Sequence, residues 1–427
     1  MDTFAEVIDR TTKEELHARG SWKWTAGGPG VIGAFIAEMD FGVAPPVEAA
    51  LLDAVGRADF GYLTAKAVAE MAEACAGWQR ASYGWEVDPG RIRPLPDVIS
   101  GLTAAITVFS RPGSPVILPT PAYMPFLTYP RSTGRDIIQV PMIGHGGRYV
   151  LDIDGIDEAF KRGGHLLVLC NPGNPVGRVY SRDELLAVAE VVEANGGRVF
   201  ADEIHAPLIY PGQEHIPYAS VSPAAAAHAV TGVAASKGWN LPGLKCAQLL
   251  LSNDADAAVW AERGFTFEHG ASTPGARATI AAYRDGRPWL DDVVRYLDRN
   301  RALLAALLAE HLPQVGFLPP EGTYLAWLDC RALDGGTLTA GTQAAGTQAA
   351  GTQAAGTQAA GRGYAGEPPG LAAGEPSPAD FFLAQAGVML TDGAACGEGG
   401  GGHVRLNFAT PRPVLAEIVS RMAAAAG

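Results

Sequence analysis

Four short apolar runs in the middle of the chain are separated by longer segments, and this alternation severely restricts the possible folds. The runs lie at residues 116–119, 165–170, 198–201 and 229–234. Between the second and third, residues 182–195 carry apolar side chains at helical spacing, and Gly196 and Gly197 follow as a helix-stop signal. Strand–helix–strand units of this kind predict a parallel sheet with helices on both faces.

The chain is long enough for more than one domain. Its 427 residues exceed what a single core ordinarily holds, so we expect two domains. Residues 289–312 have the pattern of a long amphipathic helix. We predict that this helix leads from the sheet domain to a second, C-terminal domain.

One segment departs from the rest of the chain in composition. The unit G-T-Q-A-A repeats four times over residues 341–360, and a Gly/Pro-rich stretch follows. A five-residue period fits neither a helix nor a strand, and the apolar content is too low to offset the entropy of ordering. We predict that residues 336–378 form a flexible surface insertion; a partner-binding loop is the alternative.

Charge and cysteine content exclude several classes of function. The net charge of −13 argues against non-specific binding to nucleic acids or anionic membranes. The five cysteines are scattered without a C-x-x-C pair, and the histidines show no metal-binding spacing, so neither a disulfide framework nor a metal site is expected. There is no apolar signal core at the N-terminus and no run of about 20 apolar residues. We therefore expect a cytoplasmic protein.

Polar residues follow three of the predicted strands directly. N-P-G-N-P-V-G follows the second run, D-E-I-H at 202–205 follows the third, and A-S-K, ending at Lys237, follows the fourth. Because ligands of open α/β sheets bind outside the carboxyl ends of the strands, we expect these groups to meet at one edge. That edge would gather an amide, a carboxylate, an imidazole and a lysine.

This set of groups matches the needs of pyridoxal 5′-phosphate (PLP). A lysine in a partly desolvated cleft can condense with an aldehyde, and an aspartate can keep a pyridine nitrogen protonated. The turn and predicted helix at 95–109 would seat the phosphate, with Lys245 adding a cation and Tyr123 an aromatic face. Each signal alone has an ordinary structural explanation, such as a helix cap or a turn. The occurrence of all these residues together, in this order along the chain, supports the prediction of a cofactor site.

Seven segments carry a wider resemblance. They are I-A-E-M-D-F at 36–41, F-G-Y at 60–62, T-P-A-Y-M-P-F at 120–126, N-P-G-N-P-V-G at 171–177, A-D-E-I-H at 201–205, A-S-K-G-W-N-L-P-G-L-K at 235–245 and V-R-L-N-F-A-T-P at 404–411. With them the sequence resembles the fold-type I PLP enzymes of the aspartate aminotransferase superfamily, most closely the cystathionine β-lyase-like (MalY/PatB-type) C–S lyases. The resemblance covers nearly the whole chain except the G-T-Q-A-A insertion.

The resemblance implies an α/β fold. The large domain would hold a mostly parallel seven-stranded sheet between helices, and a smaller α+β domain would follow. The implied division is an N-terminal segment over 1–45 that packs on the small domain and the partner subunit, a large PLP-binding domain over 46–285 and a small domain over 286–427.

The resemblance also assigns roles to single residues. Lys237 would bond the cofactor aldehyde and move the substrate Cα proton, and Lys237 and Tyr123 are the expected catalytic residues. Arg405 would bind the substrate α-carboxylate, and Tyr62 would reach the site from the second subunit of a homodimer. The implied cofactor-binding set is Val98, Ile99, Tyr123, Asn174, Asp202, His205, Ser236, Lys237 and Lys245. The implied substrate-binding set is Ala37, Tyr62 and Arg405.

The activity implied is C–S β-lysis. Cystathionine or another S-substituted cysteine would undergo α,β-elimination to a thiol, pyruvate and ammonia. An aminotransferase and a biosynthetic PLP enzyme acting on an S-conjugated or amino acid intermediate stay open, because the same residues serve all three. A regulatory protein with secondary lyase activity is the rival from another class. The substrate side chain does not follow from the sequence.

Overall fold

The computed structural model describes residues 3–145, 148–333 and 376–427. Its strands are β1 (Ile32–Gly33), β2 (Ile92–Leu95), β3 (Val116–Thr120), β4 (Ile137–Pro141), β5 (Ile143–His145), β6 (Arg148–Val150), β7 (Leu166–Cys170), β8 (Arg198–Asp202), β9 (Ala229–Val233), β10 (Ala247–Leu251), β11 (Gly316–Phe317), β12 (Leu325–Asp329), β13 (Val388–Met389), β14 (Thr391–Asp392) and β15 (His403–Asn407). Its α-helices are Phe4–Asp9, Lys13–Ala18, Trp22–Thr25, Pro45–Gly56, Ala65–Tyr83, Val98–Ala104, Pro125–Ser132, Ile153–Lys161, Arg182–Ala194, Pro223–His228, Ala235–Gly238, Asp254–Arg263, Phe265–Glu268, Thr273–Asp285, Arg287–His311, Pro378–Phe381 and Arg412–Ala426.

The predicted insertion lies almost wholly outside the described residues. Its part from 336 to 375, including every G-T-Q-A-A repeat, is not among them. Its last residues are described, and there the Ser377 side chain caps the helix Pro378–Phe381 by accepting a hydrogen bond from the Asp380 amide.

A seven-stranded sheet forms the centre of the larger part of the structure, as the family resemblance implies. Its order is β2-β10-β9-β8-β7-β3-β4, and β10 runs in the direction opposite to the other six strands. The four predicted strands are confirmed as β3, β7, β8 and β9, and the predicted helix between the second and third spans Arg182–Ala194. All five residues of β3, β9 and β10 are buried, as expected for strands covered on both faces.

Two apolar cores lie on opposite faces of this sheet. Leu167 and Leu169 belong to one core, whereas Leu166 and Val168 belong to the other. Successive side chains of a strand point to opposite faces. The continuous apolar run at 165–170 therefore fills both cores at once, which is why it lacks the polar alternation of a half-exposed strand.

A second, four-stranded antiparallel sheet has the order β11-β12-β15-β14. The predicted connecting helix is present as Arg287–His311, and it packs against the C-terminal helix Arg412–Ala426. The N-terminal segment joins this part of the chain through parallel pairing of β1 with β13 and an ion pair between Asp9 and Arg412. These features confirm the α/β class with a smaller α+β part, while the division at 45/46 and 285/286 stays a prediction. No helix in the described ranges is long and apolar enough to cross a bilayer.

Candidate active site

Lys237 lies on a short helix, Ala235–Gly238, that begins directly after β9. Its Nζ donates a hydrogen bond to the Ala37 carbonyl oxygen at 2.8 Å. Burial, aided by the charge of Arg405, lowers the pKa of Lys237 to about 8. A lysine with such a pKa holds a substantial neutral fraction near neutral pH, and the neutral amine is the nucleophile.

Asp202 is the last residue of β8 and is buried. Its hydrogen-bond donors in the described part of the chain are the Ile204 amide at 3.1 Å and the Cys170 thiol at 3.8 Å. Burial raises the pKa of Asp202 to about 6. Because neither donor is charged, the carboxylate is well placed to accept a hydrogen bond from a cationic group on a ligand.

Arg405 and Asn174 are in direct contact. Arg405 Nη1 donates to Asn174 Oδ1 at 2.9 Å, while Nη2 donates to the Phe35 carbonyl at 2.6 Å and to Thr391 Oγ1 at 3.1 Å. Arg405 is 2% exposed, and its Nε has no partner within the described residues. Burial lowers the pKa of the guanidinium. A buried guanidinium whose partners are all neutral is a strong binding group for a carboxylate.

The loop that carries Asn174 is held by a close backbone contact. Gly177 has φ +68°, and a Cβ there would lie 2.3 Å from Pro320 Cβ, so only glycine fits. The Gly177 amide donates to Gly173 at 2.7 Å, and the Gly177 carbonyl accepts from the Glu321 amide at 2.8 Å. These bonds fix both ends of the loop around Asn174.

The predicted phosphate seat lies at the start of the helix Val98–Ala104, which continues without a break through Ala105–Phe109. Val98 and Ile99 are its first residues, whose amides have no acceptor inside the helix. The helix packs closely on β9 because Gly232 lacks a side chain: a Cβ there would lie 3.0 Å from Val98 Cγ1. The start of this helix therefore packs against the carboxyl end of β9, the strand that leads to Lys237.

Lys245 lies at this helix start, where it contacts a residue that the sequence reasoning missed, while its role at a phosphate stays a prediction. Its Nζ lies 3.1 Å from Asp97 Oδ2, and Asp97 caps the helix by accepting from the Ser100 amide at 2.8 Å. Ser236 precedes Lys237 on the neighbouring short helix. A phosphate bound here would share Lys245 with the Asp97 carboxylate.

His205 and Tyr123 complete the large-domain part of the site. His205 is buried and its Nδ1 has no partner in the described chain. Burial, reinforced by the charges of Lys237 and Arg405, lowers the pKa of His205 well below its ordinary value, so the ring is neutral at physiological pH. Burial raises the pKa of Tyr123, whose ring packs edge-on against Phe126 at 5.4 Å.

Tyr62 is the one predicted site residue that this chain does not bring to the others. Its side chain is 96% exposed. Leu52, Val55 and Phe60, which lie just before it in sequence, are also more than half exposed. Exposed apolar side chains grouped in this way are typical of protein–protein interfaces.

Three further residues belong to the site but were missed from the sequence. The Tyr324 hydroxyl donates to the Ala37 carbonyl at 2.9 Å, Thr391 binds Arg405, and Asn407 Nδ2 donates to the Ile36 and Glu38 carbonyls at 2.6 Å each. All three act on the segment around Ala37. Their sequence positions carry no signal for this role, because each contact depends on the fold of the C-terminal sheet.

The donor and acceptor groups fit PLP. Asp202 could offer a buried carboxylate to the ring nitrogen, His205 and Asn174 lie along the same sheet edge, and Lys237 could supply a nucleophilic amine. Nδ1 of His205 and Nε of Arg405 have no partner among the described residues, so the chain alone does not satisfy either side chain fully.

Comparison with known proteins places the chain in a family. The sequence profile described as aminotransferase class I and II matches residues 36–422, and the chain belongs to that family. This confirms the superfamily resemblance expected from the sequence motifs.

Similar proteins indicate which branch of this family the chain resembles. A Mycobacterium tuberculosis protein named provisionally as a cystathionine β-lyase is 39% identical, with 97% of each chain covered. The cystathionine β-lyase of Corynebacterium glutamicum is 35% identical over 96% of this chain and 98% of its own. Among solved structures, the PLP-bound C–S lyase of Staphylococcus hominis has a TM-score of 0.81 at 26% identity and covers 99% of this chain and 98% of its own.

Proposed function

We propose that this protein is a PLP-dependent C–S lyase that cleaves cystathionine or another S-substituted cysteine to a thiol, pyruvate and ammonia. The observation that carries the proposal is the meeting, at one sheet edge, of a lysine with a lowered pKa, a buried carboxylate and a buried guanidinium with neutral partners. The names of the most similar relatives support the same activity.

PLP supplies an aldehyde that bonds an amine and a protonated pyridine ring that withdraws electrons from the substrate Cα. The chain supplies the rest. Asp202 holds the ring nitrogen in its protonated form, and Arg405 fixes the substrate carboxylate so that one Cα bond is aligned for cleavage. Neutral Lys237 accepts the Cα proton. Loss of that proton places an electron pair next to the carbon that bears sulfur, and the C–S bond breaks as the thiolate departs. Water then hydrolyses the remaining three-carbon enamine to pyruvate and ammonia.

Asn174 links the two halves of the site. Its Oδ1 is occupied by Arg405, which leaves its Nδ2 to donate to the phenolic oxygen of the cofactor. The neutral ring of His205 would lie near the same oxygen. One asparagine would thus orient both the substrate-binding arginine and the cofactor.

We also propose that the protein acts as a homodimer in the cytoplasm. Tyr62 would reach the site of the second subunit, which accounts for its exposure in a single chain. The neighbouring exposed side chains Leu52, Val55 and Phe60 would be covered by the same contact.

Elimination and amino-group transfer are distinguished by their dependence on a keto acid. The cofactor-loaded protein is given S-substituted cysteines without a keto acid, and free thiol is measured; L-alanine with 2-oxoglutarate tests amino-group transfer. Thiol release without a keto acid, and no transfer from alanine, are expected. Transfer that proceeds while no thiol appears would assign the protein to the aminotransferases.

A further inference from the structure

Residues 35–42 form an irregular segment whose backbone carbonyls are held by side chains from distant parts of the chain. We call this segment the strap. Asn407 holds the Ile36 and Glu38 carbonyls, and Asn240 holds those of Met39 and Gly42. The strap has almost no ladder hydrogen bonding of its own, so its position depends on these side chains.

The strap contacts both Arg405 and Lys237. The Phe35 carbonyl accepts from Arg405 Nη2 at 2.6 Å and from Thr391 Oγ1 at 2.7 Å. Two residues later, the Ala37 carbonyl accepts from Lys237 Nζ at 2.8 Å. A displacement of the Ala37 peptide would therefore disturb the acceptor that orients Arg405.

The Ala37 carbonyl has two donors that are not equivalent. The second is the hydroxyl of buried Tyr324, at 2.9 Å. Lys237 can donate a hydrogen bond to the Ala37 carbonyl only when it is not bonded to the cofactor. The Tyr324 hydroxyl can donate to it in either state. The Ala37 carbonyl therefore has a hydrogen-bond donor both when the cofactor is bound and when it is absent.

We propose that Tyr324 is a positioning residue that keeps the strap in place when Lys237 is committed to the cofactor. The inference rests on the proposed function only in its use of Lys237 as the cofactor-binding lysine. In the cofactor-free protein both donors hold Ala37. In the loaded protein Tyr324 alone holds the Ala37 carbonyl, and this keeps the Phe35 carbonyl within hydrogen-bond distance of Arg405.

The test compares Tyr324→Phe with a matched control, Tyr210→Phe. Tyr210 is also a buried tyrosine, and its hydroxyl donates to the Thr323 carbonyl at 2.5 Å, one residue from Tyr324 but outside the strap. Hydrogen–deuterium exchange is followed in peptides covering residues 35–42, where the Met39 amide donates to Asn240 and the Asp40 amide to the Ala409 carbonyl.

In the loaded protein, Tyr324→Phe is expected to speed exchange of the strap roughly threefold to tenfold, the effect of losing one hydrogen bond. In the cofactor-free protein it should leave exchange within about twofold of the wild type, since Lys237 still holds Ala37. KM should rise more than kcat falls. Tyr210→Phe should change neither exchange of the strap nor KM. An equal effect of Tyr324→Phe in both states, or none in the loaded state, would overturn the proposal.

A second pair of variants separates this proposal from the proposed function. In cofactor-free Lys237→Ala protein, Tyr324 is the remaining donor to Ala37, so adding Tyr324→Phe should speed strap exchange without any cofactor. That result supports the strap contact whatever reaction the enzyme catalyses. If the double variant exchanges no faster than Lys237→Ala, the proposal is wrong even where the lyase activity is confirmed.

Discussion

Arg405 Nη1 and Asn174 Oδ1 are joined by a 2.9 Å hydrogen bond across 231 residues of sequence. Arg405 lies on β15 of the smaller sheet, and Asn174 follows β7 of the large sheet. The bond therefore ties the proposed substrate-binding residue to the proposed cofactor-binding residue. In the proposed function, substrate recognition and cofactor orientation would be coupled by this one contact between the two sheets.

Replacing Arg405 by lysine should weaken substrate use while keeping the charge. Lysine cannot make the bidentate contact to a carboxylate, and its single ammonium group would lose the hydrogen bond to Asn174 or the one to Phe35. We expect kcat/KM to fall about tenfold or more, in line with roughly 1.5–3 kcal/mol for a hydrogen bond to a charged group. Steady-state kinetics with an S-substituted cysteine measure the effect. Arg295→Lys, at an exposed ion pair with Asp292, is the control and should match the wild type.

Asp202 should make cofactor affinity depend on pH in the acid range. A protonated ring nitrogen favours the ionised carboxylate, so protons compete with the cofactor for this site. With a pKa raised to about 6 by burial, affinity should fall as the pH drops below 6. Absorbance titrations at several pH values check this. Asp202→Asn should bind the cofactor at least about tenfold more weakly and lose this pH dependence; an unchanged profile would contradict the assignment.

The reactivity of Lys237 should follow its lowered pKa. Burial and the charges of Arg405 and Lys245 lower the pKa, Glu38 and Asp202 oppose them, and the result is about 8. Because the neutral amine attacks the aldehyde, the rate of cofactor attachment to cofactor-free protein should rise with pH and level off above 8. Stopped-flow absorbance records that rate. A rate that continues to rise toward the ordinary lysine pKa of about 10.4 would show that Lys237 is not the attacking group.

Mixed dimers test the role of Tyr62. Tyr62→Ala and Lys237→Ala proteins should each have little activity. In a heterodimer of the two, one site receives an intact Lys237 from one chain and an intact Tyr62 from the other. Unfolding and refolding the variants together should restore about a quarter of wild-type activity, since half the dimers are mixed and each has one intact site. No recovery in a mixture that contains heterodimers would exclude a shared site.

The central sheet was predictable because its signals are local. Each of the runs that became β3, β7, β8 and β9 is an apolar stretch of strand length, and chemically active polar residues directly follow the last three. Asp202 and Lys237 lie where they do because parallel strands end at a common edge. Their proximity thus follows from sequence position and a general rule of sheet topology.

The missed contacts are those between segments far apart in sequence. Thr391 donates to the Phe35 carbonyl across 356 residues, and Tyr324 reaches Ala37 across 287. No periodicity links such pairs, because both depend on how the C-terminal sheet packs on the N-terminal segment. Asp97 was missed for another reason: a capping aspartate is common at helix starts, and only the distance to Lys245 reveals its second contact.

Pyruvate release from L-cystathionine, without added keto acid, tests the central claim most directly. We expect the cofactor-loaded protein to form pyruvate and homocysteine in equal amounts, and Lys237→Ala protein to form neither. Cofactor-loaded protein that forms no pyruvate from cystathionine or any other S-substituted cysteine would contradict the assignment as a C–S lyase. Equal pyruvate formation by the Lys237→Ala variant would contradict the role of Lys237.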